Sequence, residues 1–445
     1  MTIRKTSESK WVAAMSAICL AITLPSSGVE VYVGVADQWM DLIKSPDEWR
    51  YVRQNADGLY LNFIQMGHDG GVGFDKQETC NAYANLFTHK NAFYESDTNE
   101  TMQKEQDYLL RLQAAGFTIP YTSLNYGMIA ERQSNLKTYA LPQGQAQRLC
   151  ICQNGPWDVG GKILGDTPAA NLALRSNIAQ SDGASTDGPM GYWHTDQGSM
   201  RAGSYSMVKY AHSLGKKAVV MICPYHANVA GYDPTKDFLA VGQSCVRMHE
   251  DNDADPDIWS VFEYATTIAA VPEQISGAPA ISSTGMAYYL IKHLKGDPGT
   301  LDLSAKTESG TVTGQGAFSP APQVLILDPS LPAGTVYHYK IHIANTSAWC
   351  DYAAMLKSTT GGSTATWKVS YKLSDTDITS SVMGGGHLFY KDNRVNPNTT
   401  LTVDLYLKRT GSTGDANFDL NLELLPHQGS EAVDSLKILS RSAEK

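Results

Sequence analysis

Apolar and polar positions along the chain follow two different rhythms, and the change falls near Gly296. From Val29 onward, short apolar runs alternate with longer amphipathic stretches. Val31 to Val35 predicts a strand and Met40 to Gln54 a helix; Asp57-Gly58 then leads into a second strand, Leu59 to Ile64. The stretch that follows reads as one long helical region ending near Gly116. Strand patterns return at Phe117 to Ser123, Arg148 to Gln153 and Gly183 to Asp187. Ser206 to Leu214 reads as a helix closed by Gly215 and Lys216-Lys217, because a glycine and basic residues suit a helix C-terminus. Ala218 to Cys223 is the clearest buried strand, and Pro224 stops it. Phe238 to His249 reads as a helix, Trp259 to Tyr264 as a strand and Gly285 to Leu294 as a last helix. Repeated strand–helix units predict a parallel sheet. Neither G-x-G-x-x-G nor GxxxxGK[ST] occurs, so the α/β pattern predicts a (β/α)8 TIM-like barrel rather than a nucleotide-binding open sheet.

Beyond Gly296 the texture is all β. Asp297-Pro298-Gly299 reads as a linker. Val324 to Leu327, Thr335 to Ile343, Thr366 to Leu373, Leu401 to Lys408 and Phe418 to Leu425 are strand patterns, parted by Gly, Ser, Thr, Asn and Pro clusters. Val336 to Ile343 alternates strictly enough to keep one face wet. Several short strands at this spacing predict a C-terminal all-β sandwich. The Ser-containing tail from Gly429 to Lys445 is expected to be disordered or weakly helical.

The N-terminus changes the picture of where the protein works. Arg4, Lys5 and Lys10 precede an uncharged run from Val12 to Leu24, and Pro25, Ser26, Ser27 and Gly28 follow. Basic, apolar, then small is the order of a secretory signal peptide, and the apolar run is short of the ~20 residues a membrane span needs. An N-terminal anchor or a helix of the fold is the other reading of this segment. The expected organisation is residues 1–28 as signal peptide, 29–297 as barrel, 298–430 as sandwich and 431–445 as flexible tail. The expected location is secreted or periplasmic, with no membrane span in the mature chain.

Composition narrows the partners. The formal net charge is −10 over 445 residues, with 18% charged and 42% hydrophobic residues. The chain can bury a sizeable core, and global disorder is excluded. The acidic balance argues against nucleic acid, whose phosphates call for clustered Lys and Arg. The 23 Tyr and 8 Trp suit sugar stacking and ordinary packing alike. After Cys19, six cysteines remain: Cys80, Cys150, Cys152, Cys223, Cys245 and Cys350. They are expected to be buried thiols with at most two bridges. No cysteine–histidine set has zinc spacing, HExxH is absent, and the acidic run Glu250 to Asp257 lacks the glycine and distal glutamate of a calcium loop. No metal and no cofactor is expected, and the oligomeric state is open.

In a (β/α) barrel, reactive groups sit at the C-terminal ends of strands. Asp37, Asn62, Asn125, Asn154, Asp187, Tyr225, His226, Glu263 and Glu273 stand at or just after predicted strands. G-x-S-x-G is absent, so the inventory favours carboxylates over a serine nucleophile. Two carboxylates flanking a sugar bond are the minimal apparatus of glycoside hydrolysis. Asp187 is the first candidate, because Gly188-Pro189 ends its strand abruptly; a cap on that turn is the other reading. Glu263 is the second: an acid in Trp259-Ser260-Val261-Phe262-Glu263-Tyr264 is buried at its base, and burial raises a carboxyl pKa, as a general acid needs. Glu273 is the reserve, if Ala269 to Val271 is the eighth strand and Trp259 to Tyr264 the seventh. Trp193, His194, Asp196, Asp37, Asn62, Asn125, Tyr225 and His226 are candidates for binding sugar rings and hydroxyls.

With Thr186-Asp187-Gly188 and Phe262-Glu263-Tyr264 at predicted strand ends, the chain resembles secreted (β/α)8-barrel glycoside hydrolases in general. The resemblance implies a hydrolase of poly- or oligosaccharides. A non-catalytic carbohydrate-binding or surface protein, and a histidine-dependent barrel phosphodiesterase or lyase, are the competing readings.

Overall fold

A computed structural model of the chain describes residues 28–35, 38–61, 74–96, 101–124, 130–142, 144–153, 175–189, 198–223, 233–250, 254–263, 268–295, 301–314, 316, 321–328, 331–347, 351–362, 366–390, 393–411, 417–426, 432 and 434–440. Eight parallel strands close into a barrel in simple chain order: β1 (Glu30–Val35), β2 (Gly58–Leu61), β3 (Asn91–Ser96), β4 (Thr118–Leu124), β5 (Leu149–Gln153), β6 (Gly183–Pro189), β7 (Lys217–Cys223) and β8 (Ile258–Glu263). The barrel closes through β1 and β8, with Glu30 aligned to Ile258 and Val35 to Glu263. The helices between strands are α1 (Trp39–Lys44), α2 (Arg50–Asn55), α3 (Gln77–Leu86), α4 (Met102–Ala114), α5 (Ala130–Thr138), α6 (175–180), α7 (Gly198–Ser213) and α8 (Pro234–Glu250). A two-residue hairpin, β9 (Gln274–Ile275) and β10 (Ala278–Pro279), and the helix α9 (Ser283–Leu294) complete this part. The expected (β/α)8 barrel is therefore the fold.

Two elements differ from the sequence reading. The expected single helical region before Gly116 is α3, β3 and α4, so the chain supplies its eighth strand there, at Asn91–Ser96. Trp259 to Glu263 accordingly falls on the eighth strand, not the seventh. Ala269 makes only an isolated bridge to Ser282, and no strand follows β8 within the barrel. The expected helix from Met40 to Gln54 is broken at Pro46, where a 3-10 turn over Pro46–Trp49 separates α1 from α2.

The strands separate two apolar sets. Inside the barrel lie Tyr32, Tyr60, Phe93, Tyr121, Ile151, Val219, Met221, Ile258 and Phe262. Between barrel and helices lie the alternate residues, among them Val31, Val33, Ala184, Val220, Trp259 and Val261. This alternation follows from the two-residue period of a strand. Both faces are dry, so the strands carry apolar residues on each.

The C-terminal part is two antiparallel-rich sheets. One, in the order β12-β11-β14-β19-β16-β17, contains β11 (Leu301–Thr307), β12 (Val312–Thr313), β14 (Val336–Asn345), β16 (Trp367–Leu373), β17 (Thr376–Asp377) and β19 (Thr400–Arg409). The other, in the order β13-β21-β20-β15-β18, contains β13 (Gln323–Leu327), β15 (Ala354–Gly362), β18 (His387–Phe389), β20 (Phe418–Pro426) and β21 (Asp434–Ser440). The short helix α10 (Thr379–Gly384) packs nearby. In β14, Tyr339, Ile341 and Ile343 are buried while Val336 and Lys340 are exposed, the one-wet-face pattern read from the sequence. Within the tail expected to be flexible, Asp434–Ser440 form β21. That strand lies between β13 and β20, with Leu436 and Ile438 fully buried. Its period-two apolar pattern is short and flanked by charge, which hid it.

The barrel and the sandwich share a boundary. His293 of α9 stacks on Tyr352 of the C-terminal part at 5.2 Å. Burial pushes His293 down to about 3. Among the described residues, no helix is long and apolar enough to cross a membrane.

Candidate functional site

Glu30 and Glu95 lie inside the barrel at its opposite ends. Glu30 opens β1 at the N-terminal end. Its carboxylate accepts hydrogen bonds from the hydroxyls of Tyr121 at 2.7 Å and Tyr32 at 3.0 Å. Burial pushes Glu30 upward, against these bonds. Above it stands a stack of rings: Tyr32 lies edge-on to Phe93 at 5.9 Å, and Phe93 packs on Tyr60 at 5.3 Å. Tyr60 also meets Phe262 at 5.3 Å.

Glu95 closes the stack at the other end. It is the penultimate residue of β3, two after Phe93 on the interior face, and is 3% exposed. The Tyr60 hydroxyl donates to its carboxylate, and the same hydroxyl lies 3.6 Å from Met221 Sδ on β7. β2 and β7 are not neighbours in the barrel, so Tyr60 reaches across the lumen. Met221 is aligned with Asp187 on β6, as Val219 is with Ser185. The backbone of Asp187 therefore runs beside Met221, at the level of the Tyr60 hydroxyl and the Glu95 carboxylate. Asp187 also falls two residues after Ser185, in the register of the interior set Val219 and Met221.

Glu263 has the opposite register. It ends β8 opposite Val35, two residues after Val261 and four after Trp259, both of the outer set. The strand's parity thus assigns the interior to Ser260 and Phe262 and places Glu263 in the register of the outer set.

Glu273 is held elsewhere. It lies beyond β8 and outside the barrel strands, 4% exposed. Its carboxylate accepts from the backbone N–H groups of Val52 at 2.8 Å and Tyr51 at 3.0 Å, and its own N–H donates to the Glu48 carbonyl. Glu273 therefore satisfies the first N–H groups of α2, which a helix leaves unpaired.

Asp37, Asn62, Asn125, Asn154, Trp193, His194, Asp196, Tyr225 and His226 lie outside the described residues. Among the described residues, no three potential metal ligands cluster. Cys80, Cys150, Cys152 and Cys245 are buried thiols, and burial pushes Cys80 and Cys150 up to about 12, which leaves them unreactive at neutral pH.

The sequence reading missed Glu95 and Tyr60. The signal was present: Ala92-Phe93-Tyr94 is an apolar run, with Asn91, Phe93 and Glu95 in period two.

No family model matches the chain, and no curated protein matches it in sequence. Similar solved structures include a glucosidase from Croceicoccus marinus, 10% identical, covering 82% of this chain and 92% of that one, with a TM-score of 0.36. Another is orotidine 5'-phosphate decarboxylase from Pyrococcus horikoshii OT3, 11% identical, covering 59% of this chain and 99% of that one, with a TM-score of 0.31. A third is dipeptide epimerase from Methylococcus capsulatus, 12% identical, covering 54% and 56% of the two chains, with a TM-score of 0.30.

Proposed function

We propose that the protein is an exported glycoside hydrolase whose carboxylate pair is Asp187 and Glu95. The observation that carries the reading is the Tyr60 hydroxyl. It donates to Glu95 and touches Met221, the residue aligned with Asp187, so the two acids belong to one level of the barrel. That level lies toward the C-terminal ends of the strands, where barrel enzymes bind substrate. Donation from Tyr60 favours the ionised carboxylate, so Glu95 is the nucleophile or the base for water. Asp187 gives a proton to the glycosidic oxygen as the bond to the anomeric carbon breaks. The substrate is a poly- or oligosaccharide, reached after removal of residues 1–28.

The test is turnover on a polysaccharide that the exported protein cleaves. Asp187→Asn and Glu95→Gln are each expected to cost at least about 10²-fold in kcat, the usual size of a lost acid, base or nucleophile. Glu263→Gln is expected to stay within a few-fold of wild type, and Glu273→Gln to lower Tm with kcat kept. Near-normal turnover in both Asp187→Asn and Glu95→Gln overturns the assignment.

A further inference from the structure

The outer face of the six-stranded sheet carries a charge pattern that sheet stability alone does not favour. Lys306 of β11 stands directly opposite Lys340 of β14, and Lys368 of β16 directly opposite Lys408 of β19. Like charges directly opposite one another destabilise a sheet. The other sheet of the same domain does the reverse, aligning Lys357 with Glu423. Lys372 of β16 completes the set, and all five lysines are exposed with no ion pair among the described residues.

Acids share this face, with Asp404 aligned to Lys340 and Lys372 and Asp377 to Lys372, but the five lysines outnumber Asp404, Asp377 and Glu308. Asp404 and Glu308 both engage His338, at 2.8 Å and 3.1 Å. Asp377, at the sheet edge, bonds Thr379. His338 in turn stacks flat on Tyr406, with centroids 4.5 Å apart and planes 5° from parallel. The Lys372 ammonium lies 5.9 Å from the Tyr406 ring centre. Read across the strands, one row is Lys306, Lys340, Asp404, Lys372 and Asp377, the next is His338, Tyr406 and Ser370, and the third is Val336, Lys408 and Lys368. Two rings thus sit at the centre of a frame of five cations about 14 Å wide, three strand spacings. A cleft of ≈ 340 Å³ opens beside them, lined by Lys306, Thr307, Glu308, His338 and Lys340.

We propose that this face binds a polysaccharide bearing regularly spaced anionic groups. The lysines hold the anions, and the Tyr406–His338 pair offers a ring surface to the sugars between them. The anionic half of the proposal rests on charge complementarity: five cations are gathered on one face of a chain with a net charge of −10. The saccharide half rests on the hydrolase reading of the barrel. That same net charge disfavours nucleic acid, whose binding domains are basic overall.

The experiment measures binding of polygalacturonate to the full chain carrying Asp187→Asn and Glu95→Gln, so the readout does not depend on hydrolysis. Affinity is expected to fall about tenfold or more in Lys306→Gln/Lys340→Gln and again in Lys368→Gln/Lys408→Gln, and to weaken as salt shortens the reach of charge. Tyr406→Ala is expected to weaken binding with the lysines intact. The lysine variants are expected to keep or raise Tm, since a like-charge pair is relieved. Equal binding of the fully methyl-esterified polymer overturns the proposal, as do unchanged affinities in the lysine variants. Single-stranded DNA binding at least as tightly as polygalacturonate also overturns it and reassigns the face to nucleic acid.

Discussion

Tyr60 is the residue on which the proposed chemistry turns, because its hydroxyl meets Glu95 from one side of the barrel and Met221 from the other. Tyr60→Phe keeps the ring packing on Phe93 and Phe262 and removes only the donor. A hydrogen bond to a charged group is worth about 1.5–3 kcal/mol, so kcat/KM is expected to fall about tenfold or more. The acid limb of its pH profile is expected to move upward, since the ionised form of Glu95 loses a donor. A Tyr60→Phe profile that overlays wild type contradicts this. Asp187 stood out in the sequence because Gly188-Pro189 reads as a strand stop, whereas β6 runs on through Pro189. Glu95 was not, because an acid inside an apolar run reads as a break in the pattern when its partner is a tyrosine thirty-five positions away.

The same strand explains what was hidden at the level of elements. β3 has two buried faces, and each ends in a carboxylate contact. Glu95 meets Tyr60 inside, and on the outer side the Tyr94 hydroxyl donates to Glu105 of α4. Glu105 is fully buried and ion-paired with Arg132 of α5 at 3.4 Å, and Arg132 also donates to Ser96 at 3.1 Å. Strand β3 and two helices are thereby tied by one buried ion pair. Arg132→Met leaves Glu105 charged and buried, and is expected to cost about 3–5 kcal/mol by denaturant unfolding. Arg132→Met with Glu105→Met is expected to recover much of that loss; equal losses in single and double variants contradict the pairing. Sequence periodicity revealed the barrel because most of its strands are short apolar runs bounded by turns. It missed β3, β11, β15 and β21, whose burial depends on partners far along the chain, which local pattern does not register.

Across the whole molecule, His293 reports on the contact between barrel and sandwich. Its folded value is about 3 against an ordinary 6.5, because burial disfavours the charged ring. Below pH 6.5 the unfolded chain takes up the proton that the folded chain refuses, so stability falls as pH falls. The loss is expected to reach about 2 kcal/mol near pH 5, and His293→Phe is expected to flatten that slope in thermal melts. An unchanged slope shows that His293 does not sense the boundary. His212 does not add to this window: its hydrogen bond to Asp257 raises its value, so below 6.5 it is protonated in both states. The closure of the barrel through β1 and β8 has a consequence for the order in which the chain can fold. Val33 and Val261 meet side by side, yet nearly the whole barrel lies between them in sequence. A chain emerging from its N-terminus therefore holds β1 with an open edge until Ile258 to Glu263 has followed. The β1–β8 pairing is the least local in the barrel. Up to that moment the ring stack and the Glu95–Tyr60–Met221 contact have no closed wall around them, so the candidate site and the seam of the barrel come into being together.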